Sequence, residues 1–260
     1  MSINSSDFSR VDDSGSSDGL VRYLAEVEGM PAAEAVRRQT YKLLKGAYGR
    51  GVDVGCGPGR AVSELSSLGY TVCGIDVSHR MVEAARLRYP NEDFSVGEAY
   101  SMDFDNESLG WYRAERMYLH LDRPDHALLE AFRVLAPGGR VVLADPCLDG
   151  IVVDAENIEL TRNVLRALVT SVPNPSAGIR SRGLMKAAGF VDVSVNALPV
   201  ISVDMSFEDV FFLPALGAAV EQGLLDDAAA EEWLAGLKRK SEDDRFTMSF
   251  TVFVTSGLRP

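Results

Sequence analysis

An α/β fold built on a mostly parallel sheet is the fold class this sequence predicts, and three observations carry the prediction. Short β-branched or apolar runs alternate with helical segments through residues 51–144, the rhythm of successive βαβ units. The run Val52-Asp53-Val54-Gly55-Cys56-Gly57-Pro58-Gly59 reads as a buried strand that stops in a glycine turn, and Gly74-Ile75-Asp76 ends the following strand in an acid. An alternating segment at 247–255 closes the chain as a further strand.

The elements follow in order. Residues 21–44 carry a helical pattern in two pieces divided at Met30-Pro31, because a proline is tolerated in a first helical turn. Strand is expected at 51–54, helix at 60–68, strand at 71–75 and helix at 78–89, each strand followed by Gly or Asp. Phe94-Ser95-Val96 is a third short strand and 111–117 a weaker fourth. The helix at 126–135 presents Leu128, Leu129, Phe132, Val134 and Leu135, and Pro137-Gly138-Gly139 ends it in a turn that feeds a strand at 140–144. Beyond Pro146 the pattern predicts a helix at 154–172, a loop containing Pro173 and Pro175, a helix at 180–188 and a strand at 191–195. Amphipathic helices at 207–222 and 227–240 precede the last strand. Residues 1–19, rich in Ser, Asp and Gly, read as a flexible leader, and 20–260 as a single domain. Segments 20–45, 147–180 and 202–242 are left over as a lid above the strand C-termini, where ligands of open α/β sheets bind.

Composition narrows the partners. With 38 acidic against 26 basic residues the formal charge is −12, and no basic cluster interrupts it. Affinity for a nucleic-acid backbone comes from Lys and Arg, so a small molecule is the expected partner and nucleic acid is not. No apolar stretch has the length of a membrane span and the N-terminus has no apolar signal core, which predicts a cytoplasmic protein without membrane association. Three cysteines, Cys56, Cys73 and Cys147, lack metal-site spacing and read as reduced thiols, with no metal expected. The apolar faces of the helices at 207–240 leave a homodimer open.

The glycine turn alternates Gly every second residue, which is not the G-x-G-x-x-G spacing of a dinucleotide site. Its ligand is therefore expected to be a nucleoside that carries something other than a pyrophosphate. Glycine lets this backbone approach such a ligand without a Cβ in the way, and the acid at the next strand tip suits a ribose diol.

Four ordered motifs then resemble one family. Val52 to Gly59, Gly74-Ile75-Asp76 with Ser78 and Met81, Gly97-Glu98-Ala99, and Arg133-Val134-Leu135-Ala136-Pro137-Gly138-Gly139 are similar to those of class I S-adenosylmethionine-dependent methyltransferases. The similarity is greatest to the small-molecule branch that includes ubiquinone-type and natural-product enzymes. The resemblance implies a Rossmann-like seven-stranded sheet, mostly parallel with an antiparallel last strand, under a helical lid. It implies S-adenosyl-L-methionine as cofactor and S-adenosyl-L-homocysteine as product. On that pattern Gly55, Cys56, Gly57 and Gly59 approach the methionine moiety and ribose, Asp76 takes the ribose hydroxyls, and Val77 packs on adenine near Met81. Glu98, where many relatives have Asp, accepts from the exocyclic amine, and the Ala99 N–H donates to a ring nitrogen.

Methyl transfer is an in-line displacement, so the protein must align the acceptor and, for an alcohol or phenol, remove its proton. His120, just past the fourth strand, is the candidate base, and it resembles the histidine serving that role in some sugar and phenol O-methyltransferases; a packing or capping histidine is the alternative. Asp145, at the tip of the fifth strand, is expected to face the same crevice and to orient His120 or bind substrate, against a structural role. Glu115 or Arg116 is expected to reach the amino or carboxylate end of the methionine moiety, unless the two form an internal ion pair. Arg37 and Arg38 are candidates for the carboxylate, because a guanidinium takes one bidentately. His79 and His126 read as solvated, and Cys147 as a small filler. Tyr23, Met30, Tyr41, Met205, Phe207, Phe211 and Phe212 either line an apolar acceptor pocket or are plain core. The expectation is a methyltransferase acting on a small organic metabolite, with O-methylation by His120. The rival readings are a biosynthetic enzyme that binds the same cofactor for cyclisation or decarboxylation, and a non-catalytic regulatory protein that binds it.

Overall fold

The computed structural model describes residues 17–260, so the expected leader at 1–19 lies up to residue 16 outside the described residues. Two helices, α1 (Ser17–Gly29) and α2 (Pro31–Leu44), precede the sheet. The chain then runs through β1 (Arg50–Val54), α3 (Arg60–Ser67), β2 (Thr71–Asp76), α4 (His79–Arg88), β3 (Asp93–Val96) and β4 (Leu109–Glu115). A 3₁₀ turn at Tyr118–His120 leads to α5 (Pro124–Val134), β5 (Leu135–Val153), α6 (Ile158–Thr170), α7 (Ala177–Ala187) and β6 (Val191–Ser202). A π-helical turn at Glu208–Phe212, α8 (Leu213–Glu221), α9 (Asp227–Glu242) and β7 (Met248–Leu258) complete it.

The seven strands form one sheet in the order β3-β2-β1-β4-β5-β7-β6. Strands β1 to β5 pair in parallel, and β7 runs antiparallel between β5 and β6. The Rossmann-like sheet expected from the sequence is therefore present. Because β1 pairs with β2 on one side and β4 on the other, the chain reverses its direction of travel at β1. Ligands of such sheets bind at the crevice this reversal opens beyond the strand C-termini. Val54 is in register with both Ile75 and Ala114, which brings the glycine turn, Asp76 and Glu115 to one edge. β1 and β4 also pack very closely: a Cβ at Gly51 would fall 2.0 Å from the Trp111 ring, so only glycine fits there.

Several boundaries differ from the sequence reading, each for a local reason. β5 does not end near Ala144 but runs to Val153, because β7 keeps pairing with it across a bulge between Cys147 and Val152. The next helix starts at Ile158 and not at 154, where the Asn157 side chain caps it by accepting from the Leu160 N–H at 3.0 Å. β6 is longer than expected and contains Pro199, which an edge strand tolerates. The helix expected at 207–222 opens as the π turn, and α8 follows with Pro214 in its first turn, where the missing N–H is harmless.

Above the sheet α6 packs against α8, and α9 is tied to α6 by the Trp233 indole N–H, which donates to Thr161 Oγ1 at 2.9 Å. Phe212 packs edge-on against the Trp233 ring at a centroid distance of 5.5 Å. No helix among the described residues is long and apolar enough to cross a membrane.

Candidate active site

The turn after β1 takes its shape from glycine. Gly55, Gly57 and Gly59 all have positive φ, and two of them show why no side chain replaces them. A Cβ on Gly59 would meet the Phe94 ring at 2.6 Å and Ala85 at 2.9 Å, so this glycine closes the turn onto α4 and β3. A Cβ on Gly57 would meet nothing within 4 Å, so the missing side chain leaves open space for a ligand above the backbone. The carboxylate of Asp76 fixes the turn: one oxygen accepts from the Gly57 N–H at 2.9 Å and the other from the Ser78 N–H at 3.0 Å. An ionised carboxylate has about four lone-pair sites, more than these two bonds use. The amides of Gly55 and Cys56 both donate to the Ile75 carbonyl, and Gly97 donates to the Asp76 carbonyl, so three strand tips are laced together.

These tips floor a cavity of about 550 Å³. Of the residues expected at the site, Gly55, Cys56, Gly57, Asp76, Val77, Met81, Glu98, Ala99, Glu115 and His120 line it. Its far end is apolar, walled by Leu168, Val210, Phe207, Phe211, Pro214 and Phe250. The three phenylalanines pack as a cluster, Phe207 stacked on Phe211 and both edge-on to Phe250, with centroid distances of 5.0 to 5.6 Å. Tyr23 and Met30 also line the cavity, whereas Tyr41 and Met205 pack against the core and Phe212 is buried in it.

Three expected residues do not line the cavity: Gly59, turned onto Phe94 and Ala85, and two that lie elsewhere. Arg38 is 73% exposed on the outer face of α2, paired with Glu34 one turn back, and does not reach the cavity. The neighbouring Arg37 turns inward, but it is spent on structure: it pairs with Glu64 at 3.0 Å and donates to the Glu28 carbonyl at 2.8 Å. Asp145 does not face the crevice either. It is completely buried, because β5 continues past it, and one carboxylate oxygen accepts from the Leu119 N–H at 3.1 Å. The other oxygen has no hydrogen-bond partner among the described residues, and burial pushes this carboxyl up to about 8.

Charged residues that the sequence reading passed over lie in and next to the site. Arg113, 2% exposed in the middle of β4, donates to Asp53 at 2.5 Å, to Thr40 Oγ1 at 2.8 Å and to Glu115. Asp53 is its direct cross-strand partner on β1. A guanidinium this deep requires such pairing, since an isolated buried charge costs several kcal/mol, on the order of 3–5. Glu28 reaches the cavity from α1, and burial, opposed by Arg116, Arg88 and Arg37, pushes its carboxyl up to about 7.

Arg116 is the least settled of these groups. It holds a left-handed backbone, φ 53, at the tip of β4, an uncommon conformation for a residue with a side chain. Its N–H donates to the Ala144 carbonyl, and its side chain lines the cavity. The guanidinium makes no hydrogen bond among the described residues; its nearest carboxylate oxygen belongs to Glu115 at 3.7 Å, and the other Glu115 oxygen is taken by Arg113. His120 stands close by, half-buried in the cavity wall. Burial, with a smaller push from the Arg116 charge, lowers its imidazole to about 4.

A family profile described as "Methyltransferase domain" matches residues 52–143. The chain is 31% identical to the "Methyltransferase GfsG" of Streptomyces halstedii over 77% of its own length and 75% of that protein's. It is 33% identical to the "O-methyltransferase cnsE" of Penicillium expansum, over 80% of its length and 75% of that protein's. Among solved structures, the phosphoethanolamine N-methyltransferase 2 of Haemonchus contortus in complex with S-adenosyl-L-methionine shares the fold. Its TM-score is 0.55 at 19% identity, with 86% of this chain and 52% of that one covered. The chain thus spans 65% to 75% of the curated relatives it matches over most of its length, and about half of the nematode enzyme.

Proposed function

The chain belongs to the class I S-adenosylmethionine-dependent methyltransferases, and from that premise we propose that it methylates an apolar small molecule on oxygen, with His120 taking the acceptor's proton. The observation that carries this reading is a single cavity that joins the Gly57 and Asp76 cradle, His120 and the phenylalanine cluster.

The cradle suits the cofactor. The open side of Gly57 admits a ribose close to the backbone, and Asp76 beside it is an acceptor-only carboxylate of the kind that suits its hydroxyls. Val77, 53% exposed at the cavity edge, offers an apolar face for the adenine, beside Glu98 and Ala99 for its polar edge. Glu115 and Glu28 suit the ammonium of the amino-acid end. Arg116, whose guanidinium makes no hydrogen bond among the described residues, receives the carboxylate, an end for which the sequence offered Arg116 as well as Arg37 and Arg38. Bound there, S-adenosylmethionine supplies an electrophilic methyl on a sulfonium.

The residues of the chain do the rest. His120, lowered to about 4, is neutral at pH 7, the protonation state a general base requires. The proton it takes from the acceptor hydroxyl restores to the cavity the positive charge that methyl transfer removes, so the burial that lowers its basicity does not oppose the reaction as a whole. The apolar end around Phe207, Phe211 and Phe250 excludes water and positions an acceptor of matching character. That the Penicillium relative is named an O-methyltransferase supports oxygen as the receiving atom. The test is His120→Ala, assayed by S-adenosylhomocysteine release over a panel of apolar phenols and alcohols that the intact protein turns over. Turnover should fall roughly 10²- to 10⁴-fold. Retained turnover would show that alignment alone suffices and that His120 is not the base.

A further inference from the structure

His120 is borne on a single 3₁₀ turn, and so short a helix does not hold its own shape. Only two backbone bonds arise within it, His120 N–H to the Met117 carbonyl at 3.0 Å and Leu121 N–H to the Tyr118 carbonyl at 3.3 Å. The remaining fixation comes from elsewhere in the chain. Asp145, from β5, accepts the Leu119 N–H at 3.1 Å. Asn174, from the loop between α6 and α7, donates its backbone N–H to the Leu119 carbonyl at 3.0 Å and its side-chain Nδ2 to the Tyr118 carbonyl at 3.2 Å. The Tyr118 hydroxyl meets that of Tyr112 at 3.1 Å.

Asn174 is built for this position. It is 4% exposed and sits between Pro173 and Pro175, whose fixed φ stiffens the loop. Its Oδ1 accepts from Arg180 at 3.4 Å, which sets the amide so that the nitrogen faces Tyr118. The Pro175 carbonyl accepts from Leu148 N–H, anchoring the loop to β5. Immediately upstream, Leu168 and Val172 line the apolar end of the cavity. The wall that meets an acceptor and the turn that carries His120 are therefore joined through one buried asparagine.

We propose that Asn174 and Asp145 are positioning residues that clamp the 118–120 turn from two sides and hold His120 at its place in the cavity, with Asn174 tying it to the acceptor wall. The proposal rests on the proposed role of His120 for its importance, but its test does not. Protein labelled at histidine Cε1 gives one resonance each for His79, His120 and His126, assigned with His120→Gln, and is recorded at pH 7 with S-adenosylhomocysteine bound. Asn174→Asp keeps the shape and removes the donor; Asp145→Ala removes the acceptor; Asp145→Asn keeps an acceptor oxygen for Leu119. The first two should shift and broaden the His120 resonance while His79 and His126 stay in place and S-adenosylhomocysteine affinity changes less than twofold. Asp145→Asn should restore the native signal. A His120 resonance unchanged in folded Asn174→Asp and Asp145→Ala overturns the clamp. Retained turnover in His120→Ala overturns the base assignment and leaves this result standing.

Discussion

Arg113→Met is the perturbation with the largest consequence that follows from the buried ion pairs of β1 and β4. The substitution keeps the length of the side chain but leaves Asp53 and Glu115, both almost fully buried, without their cation, and Thr40 without its donor partner. Removing one member of a buried ion pair costs about 3–5 kcal/mol, because the charges left behind are desolvated and unpaired. Total stabilities are on the order of 5–15 kcal/mol, so this is a large share. At roughly 2–4 °C per kcal/mol for a chain of this size, Tm should fall by roughly 6–20 °C. The loss must also depend on pH. Burial already raises Asp53 against the pull of Arg113, and without the guanidinium it is raised further above its unfolded value. The folded variant therefore keeps protons that the unfolded chain releases, and its stability falls as pH rises from about 4 upward. Urea unfolding at pH 5 and pH 8 measures this directly, and the deficit should be larger at pH 8. Adding Asp53→Asn and Glu115→Gln should recover more than half of it. A deficit below about 1 kcal/mol at pH 8, or one larger at pH 5, would refute the reasoning.

Three further outcomes are expected. Since His120 is lowered to about 4, the acid limb of turnover should lie near pH 4 and well below that of free imidazole. Arg116→Gln, by removing a cation that lowers it, should move that limb toward neutral pH and weaken S-adenosylhomocysteine binding roughly 10- to 100-fold, as for a lost hydrogen bond to a charged group. Glu28, raised by burial from 4.5 to about 7, favours the folded state below pH 4.5, and that contribution is lost as pH rises to about 7. Glu28→Gln should flatten the fall in stability over this window, a change on the order of 2–3 kcal/mol between pH 4.5 and 8, measured by denaturant melts.

Much of the sheet was legible because its strand tips announce themselves. The glycine turn, Asp76 and the Gly97-Glu98-Ala99 segment follow strands whose apolar runs and spacing fix their order, and all three reach one crevice. What stayed hidden depends on pairing across distant segments. Arg113 is a charge inside a buried strand, a sign that a partner exists, but Asp53 is identified as that partner only by the β1–β4 register. Arg37 and Arg38 look alike in sequence; one helical step of about 100° sends the first inward and the second to solvent. Asp145 read as a strand-end acid because nothing in residues 145–153 shows that β7 will keep pairing there. Asn174, between two prolines, read as loop, and its hydrogen bonds run to a turn more than fifty residues earlier.

The central claim is a nucleoside cradle made by Gly57 and Asp76, and calorimetric titration of S-adenosylhomocysteine into the intact protein and Gly57→Val tests it most directly. A Cβ at this position meets no atom within 4 Å, but a side chain at this left-handed φ adds about 1–2 kcal/mol or more of backbone strain, so binding is compared only between proteins that unfold cooperatively. Saturable binding by the intact protein, lost in a Gly57→Val protein that still unfolds cooperatively, is the predicted result. Equal affinity in the two proteins would contradict it.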